Sequence, residues 1–484
     1  MKVLFFDLDT LRQDHLGCYG YARNISPNID KIAEEGVRFD NYYCPNAPCL
    51  PSRASLISGR YGIINGVVGH GGTAADMRLE GEERQFRSDF SYNSLFYEFR
   101  KAGYHTASIS TFAERHSAWW FYAGFNECYN VGKGGMESAE EVMPTVRKWL
   151  ADNAQKDNWL LHLNLWDSHT PYRIPANRKN IFEKVPLPDA WINDKVFANH
   201  RKNIGPHGAC EINMWDDKTS EKYPRHPGRL ENLEDVKNFI DLYDCGIQYM
   251  DECIGEVLQI LKNNGTDMED VAIIVTSDHG ENLGELGLYG EHATADEPTC
   301  HIPMIIKWPG MKKGIVSSGL HTNVDLLPTV CDLLGKKKSD LFDGESYYET
   351  LKNGTETGYE SIVLTQCAHV VQRSAVFDHY LYIRTIHGGG HMFEDEMLFD
   401  LSKDIHQQTN IASQNPQLLD KGARIIYNWQ NKYMEKSPYT VDPMWTVMKE
   451  GGPQHARGML PKYAERLKET GRDYLAFEKK YHLE

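Results

Sequence analysis

Residues 46–60 read N-A-P-C-L-P-S-R-A-S-L-I-S-G-R and place Cys49 just ahead of Pro51, a favoured first residue of a helix, in a run that stops at Gly59. A helix starting there turns its unpaired backbone N–H groups toward whatever the Cys49 side chain touches, which makes an anion site. Arg53, on the first turn, reaches back to the same point and adds a formal charge to the helix dipole. On local chemistry alone, Cys49 is either a reactive group beside an anion or a buried structural cysteine.

The other chemistry-bearing residues sit just past apolar runs. Residues 3–8 read as a central strand that delivers Asp9, and an acid past a strand's carboxyl end lies where open α/β sheets keep their ligands, or it caps the next turn. Residues 159–166 read as a buried strand followed by Asp167 to Tyr172 with His169 among them. Residues 271–276 read as another, ending at Asp278 and His279. His292 follows a Gly-rich run from 283. His70 lies in the loop Gly69-His70-Gly71-Gly72, either near the site or on the surface. Arg115 and His116 follow the strand at 104–108, either as site cations or as part of a structural loop, and Arg384, His387 and His391 flank a later Gly-rich loop that overhangs the pocket or is a solvated turn.

The window from Cys49 to Arg60 resembles, at every fixed position, the maturation signature of the type I sulfatases, C-x-P-S-R-x-x-L-x-x-G-R. The opening 8–20, with Arg12, Asp14 and Gly-Cys-Tyr-Gly, the Ser277–Glu281 and Leu283–His292 segments, and the close L-F-D-L-S-K-D with Asn410-Ile411-Ala412, are similar to the same family. The resemblance implies that a dedicated formylglycine-generating enzyme oxidises Cys49 to Cα-formylglycine. Its hydrated diol attacks sulfur with one hydroxyl and expels sulfate by C–O cleavage with the other. It also implies one divalent metal held by Asp9, Asp278, His279 and the residue-49 side chain, calcium in most members, with manganese, zinc or magnesium open because one ligand is a histidine. Arg53, His169 and His292 would hold the nucleophile, the sulfate and the leaving oxygen. His70, Arg115, His116, Arg384, His387 and His391 are the candidate substrate contacts. The chain departs from the pattern at Thr10, where many members have a second aspartate, and at Ser110–Ala113 and Glu291, where members carry lysines. Arg115 or His116 would restore that charge.

The implied fold is an α/β, alkaline-phosphatase-like sandwich with a large mixed central sheet flanked by helices, plus a small C-terminal antiparallel sheet. We expect a catalytic domain over 1–350 and a subdomain over 351–484 with four strands near 361–365, 370–376, 380–385 and 396–400, closed by a helical tail. The composition agrees with a large core: 484 residues, 41% hydrophobic. A net charge of -16 argues against a nucleic-acid partner. Ten cysteines without C-x-x-C spacing point to neither a zinc knuckle nor a disulfide framework. No charged leader or spanning segment opens the chain, so the expectation is a cytoplasmic protein without a membrane partner, its oligomeric state open.

On this reading the substrate is a sulfated carbohydrate, a mono- or oligosaccharide of the glycosaminoglycan type attacked from its end. Long polar inserts at 173–235 would recognise it. The alternatives are a phosphonate monoester or phosphodiester hydrolase of the same superfamily, and a non-catalytic carbohydrate-binding protein with unmodified Cys49.

Overall fold

The computed structural model describes residues 1–78, 89–437 and 439–483. Its main sheet has eight strands in the order Ile315–Thr322, Val37–Tyr43, Met304–Lys307, Val271–Thr276, Lys2–Leu8, Trp159–Leu165, His105–Ile109 and Glu127–Tyr129. Met304–Lys307 runs antiparallel to both neighbours and the other pairs are parallel, so the sheet is mixed.

The central strands are buried on both faces, which is why they read as continuous apolar runs. In Lys2–Leu8 the side chains of Leu4, Phe6 and Leu8 join one core, and those of Val3 and Phe5 join the other. The first core holds the helices Pro27–Glu34, Ala139–Asn153 and Leu233–Asn263; the second holds Cys49–Ser58, Leu95–Lys101 and Leu326–Leu333. The result is a helix–sheet–helix sandwich, as the sequence implied.

One close approach in the first layer bears on chemistry. Gly246, inside the Leu233–Asn263 helix, lies so near the next layer that a Cβ there would sit 2.5 Å from the Asp167 carbonyl oxygen. The acids of this helix serve the framework: Asp251 accepts from the Asn28 and Ile29 backbone N–H groups at the start of Pro27–Glu34, and Asp244 bonds His15, Tyr21 and Arg23.

The second sheet contains the four expected antiparallel strands, Ser361–Gln366, Val371–Phe377, Tyr380–His387 and Glu396–Asp400. It also has a fifth, Asn46–Ala47, which pairs parallel with Thr365 and Gln366. That strand was invisible in the sequence, because two residues carry no periodicity. The helix Pro416–Lys436 covers this sheet through Ile426, against Val363, Ala375, Tyr382 and Leu398. Beyond it the chain forms further helices, Pro443–Lys449, Leu460–Glu469 and Tyr474–Tyr481. No helix among the described residues is long and apolar enough to cross a membrane.

Candidate active site

Three adjacent parallel strands end on the same side of the main sheet. Val271–Thr276 leads to Asp278, Lys2–Leu8 to Asp9, and Trp159–Leu165 to His169. Cross-ties fix the three loops to one another: Leu11 N–H donates to Ser277 Oγ at 2.9 Å, Asp9 N–H to the Leu165 carbonyl at 2.9 Å, and Ser168 Oγ to the Asp9 carbonyl at 2.7 Å.

Thr10 is strained for the same purpose. Its φ is +64°, an outlier for a β-branched residue. In that conformation its N–H reaches Asp278 Oδ1 at 3.2 Å while its hydroxyl donates to Asp9 Oδ1 at 2.8 Å. Where the family resemblance implied a second acid, this residue instead orients Asp9 and Asp278.

The Cys49–Ser58 helix closes the site from the second sheet's side. It starts at Cys49, two residues earlier than Pro51 implied. Pro51 costs nothing at the third position, since the first N–H groups of a helix have no intrahelical partner; the first bond is Ser52 N–H to the Pro48 carbonyl at 2.9 Å. Every residue of the helix is buried. Ser52 Oγ donates to the Asp278 carbonyl at 2.6 Å, which ties this helix to the metal-side loop.

Arg53 departs from its expected role. Its Nε and Nη2 reach Asp7 at 2.8 and 3.0 Å, Nη2 also reaches Asp9 Oδ2 at 3.0 Å, and Nη1 pairs with Asp278. The sequence presented a cation free to meet a substrate anion; the fold encloses it with three carboxylates, and it positions acids. Asp7, inside the strand that delivers Asp9, is one of its principal partners.

The ligand atoms of Asp9, Cys49, Asp278 and His279 all lie within 4.8 Å of one another, and the residues are buried. Their chemistry fits a divalent cation. Asp7, Asp9 and Asp278 face one guanidinium, which leaves two negative charges uncompensated in the interior. His279 Nδ1 donates to the Gly280 carbonyl at 2.9 Å, so the Nε2 lone pair points at Cys49 Sγ, 3.1 Å away, as in a histidine oriented for metal binding. Without a cation the acids cannot ionise together. Against the burial penalty, Arg53 holds Asp9 below the usual carboxylate range, whereas burial pushes Asp278 up to about 8, with Asp9 and Asp7 adding to it.

Burial also pushes the Cys49 thiol well up, and Asp9 and Asp278 act the same way. The unmodified sulfur is therefore a protonated thiol at neutral pH, a poor nucleophile. It occupies the place of the oxygen that a modified side chain would present.

His169 and His292 complete the centre, with ring centroids 5.2 Å apart and His292 4.0 Å from His279. His169 Nδ1 donates to the Thr170 carbonyl at 2.7 Å; its Nε2 is buried without a hydrogen-bond partner, 3.9 Å from Asp9 Oδ1. Burial lowers the pKa of both rings, so Nε2 of His169 offers a lone pair rather than a proton. Glu291 does not stand against the site as a free charge, since His292 Nε2 lies 2.8 Å from it.

Of the outer candidates, Arg115 lies over Trp166 at 4.9 Å, and its positive charge bears on Asp9, Cys49 and His169. His116 and His70 pack together at 5.1 Å, and His70 Nδ1 lies 3.1 Å from His455 Nε2. The other three have neighbours of their own. Arg384 is on the outer face of its strand, 3.8 Å from Glu396, because its neighbours 383 and 385 point inward. His387 packs on Tyr481, and His391 stacks on Phe393. Sequence reasoning missed Asp7, Glu281 and the histidines 207, 369 and 455. Glu281 is buried with both carboxylate oxygens unpartnered, and burial drives its pKa well up.

The chain is 24% identical over 529 residues to an N-acetylglucosamine-6-O-sulfatase of Bacteroides thetaiotaomicron, covering 93% of this chain and 89% of that protein. A solved structure in complex with its substrate D-glucosamine-2-N,6-O-disulfate superposes at a TM-score of 0.68 and 19% identity, over 90% of this chain and 98% of the other. The phosphonate monoester hydrolase of Agrobacterium radiobacter superposes at 0.64, also at 19% identity, over 90% and 95%. The sulfatase family profile matches residues 2–336, a span that contains both acid-bearing strand ends and the Cys49 helix, and the chain belongs to the sulfatase family.

Proposed function

We propose that this enzyme hydrolyses a sulfate ester of a carbohydrate, a mono- or oligosaccharide of the glycosaminoglycan class attacked from its end, with residue 49 acting as a formylglycine diol. The observation that carries the reading is the meeting of Asp9, Asp278, His279 and the residue-49 side chain within 4.8 Å, where burial and the two acids hold the unmodified thiol protonated in the cation-free protein. The relative named for N-acetylglucosamine 6-O-sulfate chemistry supports the sugar class.

A divalent cation, calcium by family and manganese, zinc or magnesium by the histidine ligand, would be held by those four residues and would supply Lewis-acid charge to a sulfate oxygen. Arg53 keeps the acids in place, and the helix N-terminus fixes residue 49. The lone pair on His169 Nε2 takes the proton from the attacking hydroxyl; His292, with Nε2–H on Glu291, would enter as the imidazolium and give its otherwise unpartnered Nδ1 proton to the departing ester oxygen. Arg115 supplies the cation that the missing lysines would have provided.

The test is a panel of defined sulfated mono- and disaccharides with enzyme made in a host that installs formylglycine, with the mass of the Cys49 peptide measured alongside. Turnover of at least one sulfated sugar by modified protein is expected. A fully modified protein inert on the panel would sink the sugar assignment, and an unmodified thiol from that host would sink the nucleophile.

A second reading is favoured by Thr10. With one acid fewer at the first strand end the donor set carries less negative charge, which suits a phosphonate or phosphate ester bearing its own additional charge. Matched sulfate and phosphonate esters of one leaving group separate the two by kcat/KM.

A further inference from the structure

Glu291 is the focus of a second polar cluster. It is 8% exposed, and three imidazoles surround it: His292 Nε2 at 2.8 Å from Oε1, His369 Nε2 at 3.6 Å from Oε1, and His207 Nε2 at 3.3 Å from Oε2. Among the described residues no lysine or arginine pairs with it.

The orientation of His207 is the informative detail. Its Nδ1 faces the Ile212 carbonyl at 2.9 Å, and a carbonyl only accepts, so the ring proton is on Nδ1 and the lone pair is on Nε2. That Nε2 is buried, has no hydrogen-bond partner, and points at a carboxylate oxygen. Two acceptors face each other across 3.3 Å, an arrangement that is repulsive unless a proton or a metal cation lies between them. A backbone carbonyl fixing one ring nitrogen while the other is directed at an ion is how metal-binding histidines are oriented.

The spacing agrees. Two donors each about 2.0–2.1 Å from one tetrahedral zinc ion stand about 3.3–3.4 Å apart; His207 Nε2 stands 3.3 Å from Glu291 Oε2 and His369 Nε2 3.6 Å from Oε1, so an ion shared by the three would lie across both carboxylate oxygens. The three ligand atoms lie within 4.8 Å of one another, and all three residues are buried.

We propose that His207, Glu291 and His369 form a second metal site, for a divalent transition cation of the zinc class, distinct from the site of Asp9, Asp278 and His279. Two imidazoles and one carboxylate are a borderline set that suits zinc and poorly suits calcium, which takes oxygen ligands. Three protein ligands leave a fourth position for water or a substrate hydroxyl. His292, 2.8 Å from Oε1, the oxygen that His369 also approaches, orients the carboxylate and separates this ion from the reaction centre by one side chain. The cation returns positive charge to a pocket wall where residue 291 is an acid.

The test uses full-length protein saturated with calcium, so that the first site is filled, and zinc as the probe. Diffraction at the zinc absorption edge should give an anomalous peak between His207 Nε2, Glu291 and His369. Calorimetric titration should give one zinc per chain, and His207→Asn and His369→Asn should each lose more than the roughly 10–100-fold that an outer-shell partner costs. Unfolding curves of both variants without zinc exclude misfolding as the cause. No peak at saturating zinc, a peak only at Asp9 and Asp278, or a peak among His70, His369 and His455 overturns the assignment. Neither readout needs turnover, so it stands or falls separately from the sulfate-ester reading.

Discussion

Arg53 and Asp7 form a forked ion pair, Nε to Oδ2 at 2.8 Å and Nη2 to Oδ1 at 3.0 Å, entirely inside the protein. The motif arginine is thus anchored from below by a strand residue and has its remaining N–H groups directed up to Asp9 and Asp278. It is a brace under the acids.

Removing the brace should therefore cost fold and chemistry together. Arg53→Ala leaves three buried acids without a counter-charge, and breaking a buried pair on one side typically costs about 3–5 kcal/mol. Urea unfolding checks this. Arg53→Lys keeps the charge but not the fork, and should recover part of the stability and little of the activity. A variant as stable as the parent would show that the three contacts carry no weight.

Metal uptake should release a proton. In the cation-free protein Asp278 is held at about 8 by burial and by the neighbouring Asp9 and Asp7, so at pH 7 it carries a proton that a bound cation must displace. Calcium titrated into chelator-treated enzyme at pH 7, in two buffers of different ionisation enthalpy, should report on the order of one proton released per chain. Affinity should rise with pH up to about 8 and then level. Buffer-independent heats would contradict the picture.

Arg115 should be replaceable by charge but not by size. Arg115→Ala removes a cation whose field reaches Asp9, Cys49 and His169, and losing one electrostatic contact to a transition state costs on the order of 100-fold in kcat/KM. Arg115→Lys should retain most of the rate. Equal losses in both would point to packing on Trp166 instead.

Gly246 gives a prediction far from any charge. Gly246→Ala forces a methyl group against the Asp167 carbonyl, and overpacking of this kind typically costs about 1–3 kcal/mol. Because the same backbone leads into His169, the midpoint of thermal unfolding and kcat should fall together. A drop in stability alone would mean that the loop at 167–172 absorbs the shift.

Much of this was legible beforehand. The strands that end at Asp9, His169 and Asp278 are apolar on both faces, so their lengths and exits can be read from the residues. The Cys49 window carries its own signature. Arg53 was misread because a lone sequence shows its charge but not the acids that other strands bring to it. His207, Glu291 and His369 come from three separate loops and strand ends, and no spacing rule links them. Thr10 was seen as a missing acid, since its backbone strain has no local signal.

The pairing of Asn46–Ala47 with Ser361–Gln366 sets a clock on biosynthesis. Cys49 is 1% exposed in the finished protein, and Gln366 also donates to the His292 carbonyl at 2.8 Å, so the maturation enzyme that the proposed function calls for would have no route to the thiol once that edge has docked. On the proposed formylglycine reading, position 49 would have to be modified while residues beyond 361 are still being synthesised or have yet to fold. Slowing translation before that segment should raise the fraction of product carrying the aldehyde, and rapid refolding of complete, unmodified chains should lock the cysteine in as a thiol.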